Sequence, residues 1–284
     1  MPQRTLSVQL VFANYHCADE ITHCIRTLAG KTSSTRLDIV VVNNGGRPFS
    51  SDGTSDTEST RVRVLDPEKN VGYFGAFSSA LEADLDDRTY DFRILCNPDI
   101  EFRDPKFFGR LARLELDGKT ALIAPTVISG ITGRDQNPFL VVRPTTSRRL
   151  RWRAAYLCLA TYILREWLSD RFHHKQREPG PAAAATATVQ KPAEIYAGHG
   201  AFIIFTEAFL QHARRELLQV PFLYAEELFI GEICYQLGWS VKYRPELQVC
   251  HQEHAVTATL ASRSRYRFNR DATLAYIAFA KKAD

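Results

Sequence analysis

The residues of this sequence best suited to chemistry are carboxylates that stand beside predicted strands and helices. Asp99 lies just after a short apolar run, in Leu95-Cys-Asn-Pro-Asp-Ile100. A carboxylate that follows a buried strand can reach a divalent cation bridging a diphosphate. The neighbouring Asn97 and Pro98 favour an ordinary turn or helix cap instead. Spacing alone leaves both interpretations open.

Two adjacent glutamates open a predicted helix that runs from about residue 225 to residue 237. Apolar residues recur three, four, seven, eight and eleven positions after Glu226, which directs Glu226 along the inward face and puts Glu227 at its edge. Paired carboxylates at a helix start often only complement the helix dipole. The functional alternative is a general base within reach of an acceptor hydroxyl.

Three histidines follow or precede predicted strands. His251 and His254 are three residues apart, a spacing that suits metal ligation, but the sequence shows no third partner. Ordinary surface or core histidines would have the same pattern. His199 is flanked by Gly198 and Gly200, so the backbone there either approaches a ligand closely or simply turns before a strand.

The run Asn70-Val-Gly-Tyr-Phe-Gly75 precedes a helical pattern. Backbone N–H groups at a helix N-terminus can receive a phosphate, so this turn is a candidate phosphate cradle. The run matches neither the P-loop nor the G-x-G-x-x-G pattern, which counts against an NTPase or a dehydrogenase.

The scaffold for these residues is predicted from hydrophobic periodicity. Short apolar runs that alternate with helical patterns indicate a mostly parallel sheet with helices on both faces. The predicted strands are 6–13, 38–42, 61–65, 92–96, 121–124, 201–205, 241–243 and 248–251, and the predicted helices are 18–29, 74–83, 105–116, 152–167, 225–237 and a basic C-terminal helix.

Such sheets bind ligands at the carboxyl ends of their strands. The residues at those ends are polar, namely Asn14, Tyr15, Asn43, Asn44, Asp66, Asn97 and Asp99. The sequence therefore predicts a polar site along one edge of the sheet.

Two loop-like segments, 128–149 and 178–191, interrupt the strand and helix pattern. The predicted amphipathic helix lies between them, and basic residues surround it and recur near the C-terminus: Arg148, Arg149, Arg151, Arg153, Arg165, Arg171, Lys175, Arg177, Arg263, Arg265, Arg267 and Arg270. Basic amphipathic helices either lie on anionic membranes or pack on the domain with a solvated basic face.

Composition narrows the class of protein. A chain of 284 residues with 45% hydrophobic and 24% charged residues can bury a full core, and a net charge of +4 does not by itself imply nucleic acid. Six cysteines without C-x-x-C spacing indicate reduced, buried thiols. With no signal-peptide pattern and no apolar run of roughly 18 residues, we expect a cytoplasmic protein.

Taken in order, these segments resemble family 2 glycosyltransferases, in particular bacterial rhamnosyltransferase-like members that act in capsule and O-antigen assembly. The resemblance covers most of the chain. The segments that carry it are Val11-Phe-Ala-Asn-Tyr15, Val41-Val-Asn-Asn-Gly45, Asn70-Val-Gly72, Cys96-Asn-Pro-Asp99, Gly198-His-Gly-Ala201, Phe222-Leu-Tyr-Ala-Glu-Glu227 and residues 245–254.

The resemblance implies a GT-A fold and an inverting, metal-dependent sugar transfer. It assigns Asp99 and His251 to a Mg²⁺ or Mn²⁺ site, with Asn97 replacing the first Asp of the family's DxD-like element. It assigns Glu227 as the catalytic base, with Glu226 second. The residues it implies for donor binding are Asn14, Tyr15, Asn43, Asn44, Asn70, Gly72, Asn97, His199 and Gly200, where Asn43 replaces the family's nucleoside-binding Asp.

The expected organisation is a single GT-A domain with a nucleotide-sugar half (1–127), a loop and basic helical insertion (128–192) and an acceptor-binding, catalytic half with a C-terminal helix (193–284). The implied partners are a dTDP- or UDP-sugar, a glycan or polyprenyl-diphosphate-linked acceptor and an anionic membrane surface, without nucleic acid. The competing interpretations are a sugar-nucleotide pyrophosphorylase, whose Gly-rich, Lys-containing loop is missing from the N-terminal sequence, and an inactive GT-A-like binding module.

Overall fold

The computed structural model describes residues 5–28, 35–50, 57, 59–83, 89–164, 191–253 and 262–283. A single mixed sheet of nine strands organises this part of the chain, in the order β3-β2-β1-β4-β8-β6-β9-β5, with β7 paired to β9. The strands are β1 (Leu6–Asn14), β2 (Thr35–Asn43), β3 (Thr60–Leu65), β4 (Phe92–Cys96), β5 (Ile100–Glu101), β6 (Thr120–Ser129), β7 (Ala193–Ile195), β8 (Phe202–Thr206) and β9 (Ser240–His251).

The first four long strands form the parallel half of the sheet. The β1–β2, β1–β4 and β2–β3 ladders are all parallel, and the long β6–β9 ladder is parallel too. The strand β8 runs antiparallel to both β4 and β6 and joins the two parallel regions. All four long strands of the first half therefore end at the same edge of the sheet.

Helices cover both faces, as the sequence predicts. They are α1 (Ala18–Leu28), α2 (Gly72–Glu82), α3 (Phe107–Leu111), α4 (Thr146–Ala155), α5 (residues 159–164), α6 (Glu207–Leu217), α7 (Glu226–Leu237) and α8 (Ser262–Ala280). Buried residues of α1 and α3 join one hydrophobic cluster, and those of α2, α6, α7 and α8 join the other. Alternate residues of β2 enter opposite clusters, which explains its continuous apolar run.

Three local predictions were wrong. The helix predicted for 105–116 has only five residues, because after Leu111 the chain forms isolated turns, Arg113 N–H to Arg110 C=O and Leu114 N–H to Leu111 C=O. The two strands predicted near 241–243 and 248–251 are one strand, β9, interrupted by a register shift around Pro245. Proline cannot donate to a ladder, which fits an irregularity there. Strands β5 and β7 and helix α6 were not predicted.

The predicted helix 152–167 is broken within its described part. Helix α4 begins earlier, at Thr146, inside a segment that we predicted to be a loop, because the Thr145 hydroxyl accepts the Arg148 N–H and caps it. Residues 156–158 separate α4 from α5. Residues 165–190, which include Arg165, Trp167 and most of the predicted second loop, lie outside the described residues.

Candidate active site

The polar residues predicted at the strand ends do meet at one edge of the sheet. In the β1–β2 ladder, Asn14 and Asn43 lie side by side. The Asn14 amide donates to Asn43 Oδ1 at 2.8 Å, and the Asn43 amide donates to Asp66 Oδ1 at 2.7 Å. The Phe49 N–H also donates to Asn43 Oδ1, at 3.0 Å. Asn43 therefore braces three strand ends, and the carboxylate at this corner belongs to Asp66.

Asn44, Asn70 and Gly72 fix the turn that begins α2. Asn44 donates to the Gly72 carbonyl and accepts the Val71 N–H, while Asn70 Oδ1 accepts the Gly72 N–H at 2.8 Å. The next N–H group, that of Tyr73, donates to the Phe222 carbonyl at 3.3 Å. Three amides of the predicted phosphate cradle thus have partners within the protein, so this turn positions α2 and does not present those amides to a phosphate.

Gly72 is required by a close backbone approach. Its φ is +80°, and a Cβ atom there would lie 2.2 Å from the Phe222 carbonyl oxygen. The first turn of α2 therefore sits directly against the segment that leads into α7.

Tyr15 is partly exposed at the rim of the edge, where its ring meets His16 edge to face at 4.7 Å. A Cβ atom on Gly46 would lie 2.5 Å from His16 Nδ1. The two glycines after β2 thus leave room for the Tyr15–His16 pair, which makes Tyr15 the most accessible of the predicted donor-binding side chains at this corner.

Asp99 and His251 come together because β5, which follows Asp99, pairs with the end of β9. Ile100 is the register partner of His251, and His251 Nε2 lies 3.4 Å from Asp99 Oδ1. Asn97 Nδ2 is 3.5 Å from the same ring nitrogen. The other ring nitrogen, Nδ1, lies 2.9 Å from Gln136 Oε1.

This donor set fits a divalent cation held jointly with a ligand's oxygens. When Nδ1 carries the proton and donates a hydrogen bond to Gln136, the lone pair of Nε2 faces the Asp99 carboxylate. A cation bound between these two electron-rich atoms would relieve their repulsion. Magnesium commonly uses one or two protein ligands plus phosphate oxygens. Within the described residues, no group of three or more His, Cys, Asp or Glu side chains forms a closed metal site. His254 lies outside the described residues.

His199 and Gly200 lie between this pair and the glutamates of α7. The ring centroids of His199 and His251 are 5.8 Å apart, and burial together with His251 lowers the pKa of His199 to about 4. The His199 N–H donates to Asn137 Oδ1 at 2.7 Å. The Gly200 N–H donates to Glu227 Oε1 at 3.2 Å, and a Cβ atom on Gly200 would lie 2.5 Å from that oxygen.

Glu226 and Glu227 begin α7 after two residues with left-handed backbone, Tyr224 (φ 65°) and Ala225 (φ 59°). Removal from water and the charge of Glu227 raise the pKa of Glu226 to about 8. Removal from water also raises the pKa of Glu227, while its hydrogen bond from Gly200 opposes the shift. Glu226 Oε2 is buried and has no hydrogen-bond partner among the residues that the structure describes. Strained backbone and shifted carboxyl groups are both common at active sites.

Tyr73 marks the centre of the arrangement. Its hydroxyl donates to the Gly200 carbonyl at 2.9 Å. Burial raises its pKa well above the ordinary value, and the charges of Glu226, Glu227 and Asp99 add to that shift. The Tyr73 hydroxyl is therefore held by Gly200, and its pKa responds to all three carboxylates.

Several residues of this site were not assigned from the sequence. Asp66 was noted only as a polar strand end, and Tyr73 only as a member of the run Asn70–Gly75 that was predicted to cradle a phosphate. Gln136 and Asn137 fell in a segment treated as a loop, and they hold His251 and His199 respectively. A polar Gln-Asn pair before a proline is the only signal in the sequence, and it is indistinguishable from turn chemistry.

A parallel half-sheet with polar strand ends, a reversed strand β8 and a carboxylate-bearing helix across the edge make up a GT-A fold. The crystal structure of GalNAc-T7 with UDP, GalNAc and Mn²⁺ superposes on 87% of this chain with a TM-score of 0.56 and 12% sequence identity, and this chain spans 43% of that protein's length. The mannosyltransferase PcManGT from Pyrobaculum calidifontis, in complex with GDP-Man and Mn²⁺, covers 100% of this chain with a TM-score of 0.51 and 11% identity, and 76% of its own length is matched.

No protein-family model matches the sequence, and no curated protein matches it. The likeness to solved structures therefore rests on the fold. None of the helices in the described ranges combines the length and the hydropathy that a membrane span requires.

Proposed function

We propose that the protein is an inverting glycosyltransferase that moves a sugar from a nucleotide diphosphate donor to a glycan or polyprenyl-diphosphate-linked acceptor. The observation that carries the proposal is the convergence of two pairs of side chains on one edge of a GT-A sheet. Asp99 and His251 form one pair, 3.4 Å apart, and Glu226 and Glu227 form the other. Tyr73 donates a hydrogen bond to the carbonyl of Gly200, whose N–H contacts Glu227.

The first pair suits the donor's diphosphate. Asp99 and His251, with Asn97 beside them, would hold Mg²⁺ or Mn²⁺, and such an ion supplies charge neutralisation to a leaving diphosphate. Both structural neighbours were solved with Mn²⁺. Gln136 holds Nδ1 of His251, so Nε2 faces Asp99 and would be free to act as a ligand of such an ion.

The second pair suits the acceptor. A deprotonated Glu227 would take the proton of the acceptor hydroxyl while that oxygen bonds to the anomeric carbon and the bond to the diphosphate breaks on the opposite face. The hydrogen bond from Gly200 fixes the Glu227 carboxylate, which favours it over Glu226 as the base. The raised pKa of Glu226 lets it hold a proton near neutral pH, so the two carboxyl groups share one negative charge.

The base of the nucleotide would meet the corner formed by Asn14, Tyr15 and Asp66. Because Asn43 is engaged within the protein, the Asp66 carboxylate can supply the negative charge that Asn43 lacks. A carboxylate accepts hydrogen bonds, and the N3–H of uracil or thymine donates one. This favours a UDP- or dTDP-sugar over a CMP-sugar.

Family 2 membership, a rhamnose donor and a role in capsule or O-antigen assembly come from the sequence resemblance and belong to this proposal. We propose a single GT-A domain in which residues 1–127 bind the donor, 193–284 hold the acceptor and the base, and 128–192 form an insertion. The expected place of action is the cytoplasmic face of the membrane.

The test is a thermal-shift screen of the purified protein with Mn²⁺ or Mg²⁺ and UDP, dTDP, GDP or CMP. We expect a metal-dependent rise in Tm with UDP or dTDP, because a ligand that binds only the folded state stabilises it. Asp99→Asn should abolish the metal dependence. Asp271→Asn, which changes an exposed carboxylate on α8, should retain it.

The result separates the competing interpretations. No shift with any nucleotide at millimolar concentration contradicts the proposal. A shift without sugar transfer to any acceptor, retained in Glu227→Gln, indicates an inactive GT-A-like binding module.

A further inference from the structure

The arginine-rich helices carry two different apolar surfaces. Trp152 and Tyr156, which the sequence places on one stripe, face the domain, since Trp152 packs on Tyr276 with ring centroids 6.2 Å apart. Tyr156 stacks on Tyr162 at 5.6 Å, and Tyr162 packs on Tyr266 of α8 at 5.4 Å. This inward stripe holds α4 and α5 on α8 and is unavailable to a membrane.

A second set of aliphatic side chains, on these two helices and on the turn between them, faces solvent. Leu150, Leu157, Ile163 and Leu164 are each more than half exposed, and they lie within fifteen residues of chain. Isolated exposed aliphatic side chains are common, whereas four of them within one short stretch of chain make that stretch a candidate interaction surface.

Arginines accompany these aliphatic residues along the sequence. Residues 143–164 contain five arginines and no Asp or Glu, although Arg143 pairs with Glu232 and Arg149 is buried. Residues 262–270 at the start of α8 contain four arginines and no Asp or Glu. Arg151, Arg153, Arg263 and Arg267 are exposed, and none of them forms an ion pair with the part of the chain described here. The surface is therefore both positively charged and apolar.

We propose that this surface, formed by α4, α5 and the start of α8, binds an anionic lipid bilayer. Exposed aliphatic side chains suit the boundary between headgroups and acyl chains, and the arginines suit anionic headgroups. A nucleic acid would use the arginines but would leave the leucines without a partner.

The surface is connected to the candidate active site through α8. Phe268, the residue after Arg267, stacks on Phe222 with ring centroids 6.1 Å apart, and Phe222 precedes Glu226 by four residues. A bilayer bound at the start of α8 would hold a lipid-linked acceptor beside the two glutamates. This last step rests on the proposed function, whereas bilayer binding itself does not.

The experiment is vesicle co-sedimentation of the full chain without nucleotide or sugar. The vesicles are phosphatidylcholine alone or phosphatidylcholine with about one third phosphatidylglycerol, at low and at high salt. We expect binding only to the anionic vesicles, weakened by salt because screening shortens the reach of the arginines.

Two variants test the two components of the surface. Arg151→Glu with Arg153→Glu should lower the partition coefficient by at least about 25-fold, since each basic residue near an anionic surface contributes about fivefold. Ile163→Ser with Leu164→Ser should weaken binding while leaving its salt dependence. The matched control, Arg214→Glu with Arg215→Glu on exposed positions of α6, should bind as the unchanged protein does.

Each outcome either supports or overturns bilayer binding by this surface. No binding to anionic vesicles overturns the proposal, as does equal loss in the α6 control or no effect of the Ser variant. Equally tight binding of a random oligonucleotide, lost in the Arg151 and Arg153 variant, would indicate a nucleic-acid surface instead. Vesicle binding without any nucleotide-induced Tm shift would sink the transferase proposal and leave this one standing.

Discussion

Gly200→Ala tests the role of Glu227 without changing a charged residue. The new methyl group would lie 2.5 Å from Glu227 Oε1, 2.9 Å from its Cδ and 3.2 Å from its Cγ. Gly200 does not have a positive φ, so alanine fits the backbone and the strain falls on the carboxylate. The carboxylate must turn away, which also stretches its hydrogen bond from the Gly200 N–H.

The expected fall in kcat follows from the rate enhancement that a positioned general base supplies. General base catalysis is worth about 10²- to 10⁴-fold, so we expect kcat to fall by about 10²-fold or more, towards the value of Glu227→Gln. Overpacking costs about 1 to 3 kcal/mol, which corresponds to a Tm lower by about 2 to 10 °C. The dissociation constant for the nucleotide should stay within about twofold, because the donor corner is not touched.

The assay is release of the nucleotide diphosphate in the presence of acceptor, with nucleotide affinity measured in parallel. Gly109→Ala in α3 is the control, since a Cβ atom there meets nothing within 4 Å. Gly200→Ala combined with Glu227→Gln should be no slower than Glu227→Gln alone, because both changes remove one function. Normal turnover in Gly200→Ala, or additive losses in the double variant, would refute the assignment of Glu227.

Three further predictions concern stability. Gly72→Ala puts a methyl group against a backbone carbonyl and places alanine at a positive φ, so Tm should fall by more than about 4 °C. Gly133→Ala has only the positive φ, so its loss of Tm should be smaller. The pKa of Glu226 is raised to about 8, so the folded state binds this proton more tightly than the unfolded state does. The stability that this group contributes therefore falls as the pH rises from about 4.5 to about 8. Glu226→Gln should remove the part of this fall that lies between pH 6.5 and 8.5, as measured by Tm in the presence of EDTA. Arg143 contacts the fully buried Glu232 through two bonds of 2.9 and 2.8 Å, so Arg143→Ala should cost about 3 to 5 kcal/mol in chemical denaturation and Glu232→Gln clearly less; equal costs would contradict an uncompensated buried charge as the cause.

Most of the parallel half of the fold was predictable because β1, β2 and β4 are buried on both faces and read as mostly apolar runs, whereas β3 is only half-buried. Strand 92–96 matches the prediction at both ends, and β1 is one residue longer than the strand predicted at 6–13. The two- and three-residue strands β5 and β7 were not predictable, since they have no periodicity of their own and exist only through pairing with β9. Five of the six cysteines are buried and free as expected, whereas Cys158 is exposed between α4 and α5.

The candidate site was predictable where strand ends supply it and hidden where loops do. Asn14, Asn43 and Asp99 follow apolar runs, so their common edge follows from sheet geometry. That Asn43 is engaged by Asn14 and Asp66 depends on side-chain hydrogen bonds across three strands, for which the sequence gives no sign. Gln136 reaches His251 across more than a hundred residues, a contact that only the tertiary fold creates.

The contact between Gly72 and Phe222 also has a mechanical meaning. The start of α2 belongs to the half that is expected to hold the donor, and the backbone of Phe222 leads within four residues to Glu226. Protein interiors are close-packed, and the contact between Gly72 and Phe222 has no room even for a methyl group. Neither segment can therefore move towards the other without displacing it. A displacement of α2 towards Phe222 would therefore have to move Phe222 as well, and with it the chain that leads through Tyr224 and Ala225 to the two carboxylates.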